Sequence, residues 1–371
     1  MQLESISLFQ FKNYEQSSFD FKVRITCITG KNGLGKTNLL DAIHMLCLGK
    51  SYFNTVEKNN VLHERDSYSL KGRLFKKSKG YDVLLKYETG QRKKISCQNK
   101  DYPRISEHWG KFPVIFITPN DIRIIDDFSE DRRRFMDSII CQYDHAYLKE
   151  LIKYNKILQH RNAALKKMRE ERMIDDRLLD ILDEQMLEAG SSIFEKRKIF
   201  EKEMKGIVLN DYARISGNAE SAGFEYTSQL IGQDFNTLLK DNRRKDLDMQ
   251  RSNIGIHKDD YIFSLNGLML KRFGSQGQKK SYVFALKLSL LKLLYQHSDV
   301  KPILLLDDIF DRLDKDRMKQ LLTLIFEEKT GHFFLTDTDE VRVIELLKEM
   351  SAKFEVFNIK TGNLAEYEVF E

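Results

Sequence analysis

Two motifs far apart in the chain constrain its fold more than any other feature. Residues 30–37 read Gly-Lys-Asn-Gly-Leu-Gly-Lys-Thr, which fits the phosphate-loop pattern G-x-x-x-x-G-K-[ST]. An apolar run over residues 25–28 precedes this loop and a helical pattern follows it, so the motif has the strand–loop–helix context that it needs. Residues 303–308 read Ile-Leu-Leu-Leu-Asp-Asp, the pattern of a buried strand that ends in acids. Together the two motifs predict one nucleotide-binding domain built from both ends of the chain.

The chemistry of these motifs indicates which residues would bind a nucleoside triphosphate. The glycines let backbone amides point at phosphate, and a helix starting at Lys36 adds the positive end of its dipole. Lys36 is expected to reach the terminal phosphates, while Thr37 and Asp307 are expected to hold Mg²⁺. The predicted nucleotide-binding set in the loop is Gly30, Lys31, Asn32, Gly33, Leu34, Gly35, Lys36, Thr37 and Asn38.

Composition limits the class of protein without defining it. The 371 residues carry 61 basic and 56 acidic side chains, and this mild excess permits a nucleic-acid partner without demonstrating one. The four cysteines show no C-x-x-C spacing, so we expect reduced thiols rather than disulfides or a zinc site. No signal peptide fits the start and no apolar run approaches the length of a membrane span, so the prediction is a cytoplasmic protein with no membrane contact.

The sequence pattern changes twice along the chain, from strands to long helices and back to alternating strands and helices. Residues 1–118 are rich in strand patterns, with strands expected over 3–11, 19–28 and 114–117, a helix over 36–48 and an antiparallel meander between Tyr68 and Cys97. Residues 130–204 show apolar spacings of three and four, which predict two or three long antiparallel helices, followed by a short strand over 223–226 and a helix over 234–247. From residue 254 strands and helices alternate again. We predict an α/β fold with a discontinuous nucleotide-binding head, 1–125 and 252–371, and an inserted α-helical arm domain, 126–251.

A third motif stands before the helix predicted from Gln276. Its residues are Phe-Gly-Ser-Gln-Gly-Gln, at 273–278, and a small-residue step into a helix N-terminus can bind an anion. The simpler interpretation is that Ser275 only caps the helix. In ABC-type ATPases a loop of this kind covers the γ-phosphate held by the opposite subunit, which would make Ser275, Gln276, Gly277 and Gln278 part of a shared nucleotide site.

Several motifs in the same order resemble the RecF family of bacterial recombination mediators, which have an ABC-type, SMC-like P-loop ATPase head. The resemblance covers nearly the whole chain. Its motifs are Phe11-Lys12-Asn13-Tyr14, the phosphate loop through Asn38, Leu48-Gly49-Lys50-Ser51, Thr118-Pro119-Asn120-Asp121, Arg132 to Asp137, Tyr154-Asn155-Lys156 with Gln159 to Asn162, Gly255 to Asp260, Ser275 to Gln278 and Leu304 to Asp314.

The resemblance implies a function that composition and spacing do not show. It implies ATP as the nucleotide, with Asp308 orienting the attacking water beside Lys36 and Asp307, and Asp314 facing the other subunit. The alternatives are that Asp308 is only a supporting acid and that Asp314 caps a helix. It implies an ATP-dependent homodimer that clamps DNA at single-strand gaps, hydrolyses ATP weakly, and helps load RecA with RecR and RecO. Thr336 stands where transport ATPases carry a histidine. Asn120 or Asp121 stands where other family heads reach Mg²⁺ or water, and a simple turn is the alternative there.

The strongest candidate DNA-binding segment is the meander between Lys71 and Lys94. Its basic residues greatly outnumber Asp82 and Glu88, and such a hairpin can follow a phosphate backbone, although solvated charge is the alternative. The predicted DNA contacts are Lys71, Arg73, Lys76, Lys77, Arg92, Lys93 and Lys94. The Arg132–Arg134 run and the segment 257–260 could contact DNA or could form structural ion pairs.

Three other classes remain open at this point. A transport ATPase would place its signature loop much closer to the phosphate loop than Ser275, which lies more than 200 residues after Lys36. A P-loop kinase would need an acceptor-binding lid and has no use for residues 275–278. A scaffold that binds ATP without hydrolysing it would not need both Asp307 and Asp308.

Overall fold

A computed structural model describes residues 1–309, 315–327, 330–360 and 363–370. Its strands are β1 (Gln2–Phe11), β2 (Tyr14–Asp20), β3 (Ile25–Thr29), β4 (Ser67–Lys76), β5 (Lys79–Glu88), β6 (Lys94–Cys97), β7 (Lys100–Asp101), β8 (Val114–Ile117), β9 (Ala222–Thr227), β10 (Asp260–Leu265), β11 (Leu268–Met269), β12 (Ile303–Leu306), β13 (Phe333–Asp337), β14 (Phe354–Lys360) and β15 (Asn363–Phe370). Its α-helices are α1 (Lys36–Leu48), α2 (Arg123–Asp126), α3 (Ser129–Tyr143), α4 (His145–Glu171), α5 (Asp176–Ser216), α6 (Phe235–Asp241), α7 (Arg243–Met249), α8 (Leu270–Phe273), α9 (Gln276–Ser298), α10 (Lys315–Glu327) and α11 (Glu340–Glu349).

The chain divides into two compact units. The first contains Met1–Asp121 and Leu290–Glu371, and the second contains Ile122–Ser289. The second unit therefore holds the whole predicted insert and also residues 252–289, which the sequence prediction places in the head. The reason is local, because β10 pairs with β9 and so completes a sheet that begins within the insert. The assignment of the two domains at 125 and 251 stays a prediction.

In the first unit, an antiparallel sheet has the strand order β2-β1-β4-β5-β6-β7. Its strands alternate, as the sequence pattern predicts, because one face is buried and the other meets solvent. Leu8, Leu70 and Leu85 lie in register on the buried face and join a core that includes α1. The predicted meander over β4, β5 and β6 is confirmed.

The second sheet of this unit brings the two ends of the chain together. Its order is β15-β14-β3-β13-β12-β8, and all neighbours are parallel except the β14–β15 hairpin. β12 and β8 are continuous apolar runs, and every residue of β3 is buried, because both faces of a parallel sheet are covered. β13 lies between β3, which leads into the phosphate loop, and β12, which leads to Asp307. The carboxyl ends of these strands share one edge, so the two motifs meet there. The sequence Thr-Gly-Asn at 361–363 also predicts the turn of a final hairpin, and this turn falls partly outside the described residues.

The second unit is built on long helices with buried ion pairs. α4 and α5 have 27 and 41 residues, and with α3 they make three helices where the periodicity predicts two or three. Two fully buried arginines connect them to neighbouring segments. Arg161 pairs with Asp183 and Asp246, and Arg197 pairs with Asp137 and Asp259. Each arginine needs these carboxylates because an unpaired buried charge is strongly destabilising.

Two segments predicted as single elements each contain two elements in the structure. The strand predicted over 19–28 is the end of β2 and the whole of β3, since the chain leaves one sheet and enters the other between them. The helix predicted over 234–247 is broken into α6 and α7 at Asn242, whose side-chain amide donates to the carbonyl of Leu238 at 2.9 Å. Such local side-chain bonds compete with helix continuation. Within the described part of the chain, no helix combines the length and apolarity that a bilayer crossing requires.

Candidate nucleotide site

The phosphate loop connects β3 to α1 and needs glycine at two positions. Gly30 has φ 135°, and a Cβ there would lie 2.6 Å from the carbonyl oxygen of Ile359. Gly35 has φ 111°, and a Cβ there would lie 2.5 Å from the side-chain nitrogen of Asn13. Both the backbone conformation and the close packing exclude other residues. The loop is therefore tightly fixed by its neighbours.

The N-terminus of α1 is suited to bind an anion. Gly35 is the N-cap, no side chain caps the first turn, and no acidic residue lies in it. The first amides of a helix lack intrahelical partners and carry the positive end of the dipole. Phosphate oxygens are the natural acceptors for such amides.

Lys36 is held inside the loop by backbone carbonyls. Its Nζ donates to the oxygen of Gly30 at 2.6 Å and to that of Lys31 at 3.1 Å, and the residue is 6% exposed. Burial lowers the pKa of the Lys36 ammonium, and the nearby carboxylates of Asp308, Asp307 and Asp337 oppose that shift. A cation held in this position can attract the terminal phosphates of a nucleotide.

Thr37 and Asp307 come into direct contact although they are separated by 270 residues. The Thr37 hydroxyl lies 2.9 Å from both carboxylate oxygens of Asp307. Burial raises the pKa of Asp307, while hydrogen bonds from Thr37 and Thr336 act in the opposite direction. Hydroxyl and carboxylate oxygens are ligands that Mg²⁺ prefers, so this donor set fits that ion.

Thr336 connects the two acids at the end of β12. Its hydroxyl donates to Asp307 Oδ1 at 2.9 Å and accepts from the backbone amide of Asp308 at 2.9 Å. Asp308 has φ 46°, in the left-handed region, where non-glycine residues are uncommon. The bond from Thr336 therefore helps to hold Asp308 in an unusual backbone conformation, with its side chain half-buried beside Asp307.

The predicted residues meet in one open depression of about 200 Å³. It is lined by Asn32, Gly33, Gly35, Lys36, Thr37, Asn38, Asp307 and Asp308. The other predicted loop residues stabilise the loop through their carbonyls. Those of Gly30 and Lys31 accept from Lys36, and that of Leu34 accepts from Asn13. The sequence prediction thus identifies the residues that the fold brings together.

Sequence reasoning missed the residues that support the loop from outside. Asn13 donates to the carbonyl of Leu34 at 3.0 Å and accepts from Asn38 at 2.7 Å. The Tyr14 hydroxyl donates to the carbonyl of Gly35 at 2.9 Å. Both belong to the Phe11–Tyr14 motif, which was noted only as part of the resemblance, because the contact depends on how β1 and β2 place their turn.

The Ser275 loop forms a capping box in the second unit. The Ser275 amide donates to Gln278 Oε1 at 2.7 Å, and the Gln278 amide donates to Ser275 Oγ at 3.2 Å. The structure thus shows the simpler of the two interpretations, a helix cap. Ser275, Gln276 and Gly277 are nevertheless exposed, and a Cβ at Gly277 would meet only Ser275 Oγ at 3.9 Å. An anion-binding role for residues 275–278 stays a prediction.

The predicted DNA contacts differ in how accessible they are. Lys71, Arg92 and Lys94 are exposed, Arg73 pairs with Glu4 at 3.1 Å on the surface, and Lys77 pairs with Asp299 at 2.8 Å. Lys76 donates to the carbonyl of Lys111 at 2.9 Å. The structure contradicts the prediction that Lys93 contacts DNA. Its side chain is 7% exposed, and its ammonium is paired with Glu57, which also accepts from the Tyr68 hydroxyl.

Three weaker candidates have structural roles in the described residues. Asp121 is buried and accepts from the amide of Thr118 and the hydroxyl of Tyr52, so it stabilises a turn. Arg132 makes a two-point ion pair with Asp260 at 2.6 and 2.8 Å. His257 bonds to the Tyr154 hydroxyl at 2.9 Å and the Ser252 carbonyl at 3.1 Å. The site predicted at Asp314 lies outside the described residues.

Comparison with known proteins agrees with this geometry. Residues 2–362 match the model of the RecF/RecN/SMC N-terminal domain. The Smc head bound to the C-winged helix domain of ScpA has a TM-score of 0.57 at 13% identity, covering 100% of this chain and 98% of that one, which is a likeness of fold alone. The fold and the phosphate-loop site therefore define an ABC-type, SMC-like P-loop ATPase head.

More similar proteins narrow this class. The DNA replication and repair protein RecF of Flavobacterium johnsoniae is 41% identical over 359 residues, covering 97% of this chain and all of that protein. RecF of Cytophaga hutchinsonii is 38% identical over 366 residues, covering 99% and 97%. The solved structure of the recombination mediator protein RecF with ATP, in the RecFOR pathway, has a TM-score of 0.88 at 27% identity and covers 100% and 97%. The chain belongs to the RecF family of DNA replication and repair proteins.

Proposed function

We propose that this chain is an ATP-dependent DNA-binding protein of recombinational gap repair. Two copies bind ATP with Mg²⁺ and close on DNA at gaps, and slow hydrolysis reopens them. The clamp works with RecR and RecO to help load RecA onto the single strand. Family membership and the RecFOR pathway of the ATP-bound structural relative support this assignment.

One observation supports the nucleotide part of the proposal most directly. Thr37 and Asp307, from opposite ends of the chain, lie 2.9 Å apart beside an uncapped helix N-terminus. Mg²⁺ at these two residues would neutralise part of the phosphate charge. Lys36 lies in the same depression, so the chain's own groups supply a cation, an Mg²⁺ donor set and helix amides in one place.

Hydrolysis in this proposal depends on Asp308. It lies next to Asp307 and lines the same depression, where its carboxylate can orient a water molecule for attack. The side chain of aspartate is one methylene shorter than that of glutamate, and this limits its reach. We therefore propose weak ATPase activity that DNA stimulates, with ATP binding as the main event.

The proposed dimer explains why an exposed loop is built at the start of α9. Ser275, Gln276 and Gly277 present a helix N-terminus to solvent, and the capping box fixes its shape. The phosphate loop of each copy already surrounds the phosphates of its own nucleotide. A second phosphate-binding surface would therefore bind a nucleotide held by another copy. We propose that it contacts the γ-phosphate bound by the other copy, so that ATP favours the closed state.

The DNA part of the proposal rests on the solvent face of the antiparallel sheet. Lys71 on β4 and Lys94 on β6 are exposed there, and Arg92 lies in the adjoining turn. Such side chains contact phosphates without reading sequence. Lys93 is excluded from this set by its buried pair with Glu57.

The test is binding to gapped duplex DNA with and without ATP and Mg²⁺. We expect tight binding only with ATP in the wild type, and loss of that increment in Lys36→Ala, which removes the phosphate-binding cation. Lys301→Ala, an exposed lysine outside the site, is the control and should behave as wild type.

Gly277→Arg tests the shared site without breaking the capping box. The structure leaves open space around a Cβ at Gly277, so the variant should fold but obstruct a second copy. We expect it to bind ATP and to lose ATP-dependent DNA binding. DNA binding that is indifferent to ATP, in the wild type, would refute the clamp.

A further inference from the structure

One aromatic side chain on the antiparallel sheet has no role in the core. Phe9 is on β1, where its neighbour Leu8 is buried, so alternation places the Phe9 ring on the solvent face. The residue is 43% exposed, although β1 is flanked on both sides by β2 and β4. Phe9 thus presents an aromatic surface to solvent on an interior strand of the sheet.

The residues in register with Phe9 are polar or basic. Across five strands, the row that contains Phe9 is Gln16, Phe9, Ser69, Lys86 and Lys94. The next row has Ser18, Ser7, Lys71, Leu84 and Ser96. Among the aromatic rings that the structure describes, none stacks on Phe9. The exposed part of the Phe9 ring thus faces solvent among serine and lysine side chains.

Basic residues outnumber acids in the rows around Phe9. Lys71, Lys86 and Lys94 lie in the rows at or next to Phe9. Two acids of the face, Asp20 and Asp82, lie at the other end in the row of Ser5 and Arg73, while Glu88, opposite Ser67, lies in the row on the other side of Phe9. We name the half that carries Phe9, Lys71, Lys86 and Lys94 the Phe9 face.

We propose that the Phe9 face binds single-stranded DNA, with one unpaired base stacked on the Phe9 ring and its phosphates on the three lysines. Sheets that bind single strands combine an exposed aromatic ring, which stacks on a base, with basic groups along the backbone. A duplex offers phosphates to the lysines but no free base face to the ring. The inference rests on the proposed DNA binding and assigns this part of the surface to the single-stranded side of a gap.

A tryptophan probe can report the stacking directly. The chain has one tryptophan, Trp109, so Phe9→Trp in a Trp109→Phe background places the only indole at the proposed site. We expect oligothymidylate to quench the fluorescence of this variant, because base stacking quenches indole emission. A blunt duplex of equal length should leave the emission nearly unchanged. The Trp109→Phe parent, with no tryptophan, corrects for background.

The affinity of two further variants provides the second readout. Phe9→Ala should weaken binding to oligothymidylate about tenfold or more, the range expected for one lost stack. Phe9→Tyr should keep the affinity within about twofold, since its ring can still stack. Both should bind blunt duplex like the wild type, and thermal melting should show that both remain folded, because much of the ring is exposed.

The outcomes separate this inference from the proposed function. If the wild type binds gapped DNA with ATP but Phe9→Trp is not quenched and Phe9→Ala binds oligothymidylate normally, the Phe9 face does not stack a base. If Phe9→Ala weakens single-strand and duplex binding equally, the ring acts on phosphate binding alone and the inference also fails. If the wild type binds no DNA, the proposed function itself fails.

Discussion

At the scale of single residues, the least expected finding is the position of Thr336. It stands at the end of the strand between the two halves of the nucleotide site and bonds to both acids there. The sequence indicated only that a histidine is absent at this position. In the structure, the Thr336 hydroxyl bonds to the Asp307 carboxylate and to the Asp308 amide, and so fixes their relative positions.

We expect Thr336→Val to slow ATP hydrolysis about tenfold to a hundredfold while ATP binding changes little. The substitution keeps the shape but removes one bond to the Asp307 carboxylate and the acceptor for the partly buried Asp308 amide, a loss of about 1.5–3 kcal/mol for the charged bond. Phosphate release under saturating ATP measures the rate. Thr336→Ser retains the hydroxyl and should restore most of the activity. A valine variant with the wild-type rate would show that Thr336 does not position the acids.

At the scale of elements, the start of α9 combines a structural cap with a proposed binding surface. The two roles can be separated because they use different atoms. Ser275 and Gln278 cap the helix with their side chains, whereas Gly277 contributes only backbone. A variant can therefore affect the stability of the helix or the contact with a second copy.

Ser275→Ala should lower the free energy of unfolding by about 1 kcal/mol through loss of the N-cap. Gly277→Arg should leave thermal stability nearly unchanged and should lose only ATP-dependent assembly. Thermal melting of both variants, alongside light scattering with ATP, gives the comparison. Equal destabilisation by both substitutions would mean that Gly277 also has a structural role that its open surroundings do not reveal.

The elements that sequence predicts well are those whose pattern is local. The phosphate loop, α1 and β8 follow from consecutive residues, and the structure gives α1 as Lys36–Leu48. Asn13 and Thr336 could not be assigned their contacts, since these depend on strand order in two sheets. The pair between Lys93 and Glu57 could not be predicted either. A count of charges does not distinguish an exposed lysine from one that pairs with an acid distant in sequence.

At the scale of the whole molecule, buried histidines predict how stability depends on pH. Burial lowers the pKa of His332 to about 3 and that of His108 to about 4. The folded chain keeps both neutral, while the unfolded chain protonates them below about pH 6.5. Their contribution to stability is therefore complete above about pH 6.5 and is lost as the pH falls, down to about pH 4 for His108 and about pH 3 for His332, by about 2 kcal/mol each at pH 5.

Chemical unfolding at pH 7.5 and pH 5 measures this dependence. We expect lower stability at pH 5 in the wild type and a smaller difference between the two pH values in His332→Gln, which cannot take up the proton. His63→Gln is the matched control, because the His63 side chain is 93% exposed. An unchanged pH difference in His332→Gln would contradict a neutral buried histidine.

The central claim is that ATP joins two copies of this chain, and the most direct test is the mass of the protein in solution by light scattering. We expect the 43.7 kDa monomer without nucleotide, and a species of twice that mass for Asp308→Asn with ATP and Mg²⁺, because this variant keeps the site but cannot complete hydrolysis. Lys36→Ala should stay monomeric under the same conditions. A monomer in every sample, with ATP shown to be bound, would contradict the account.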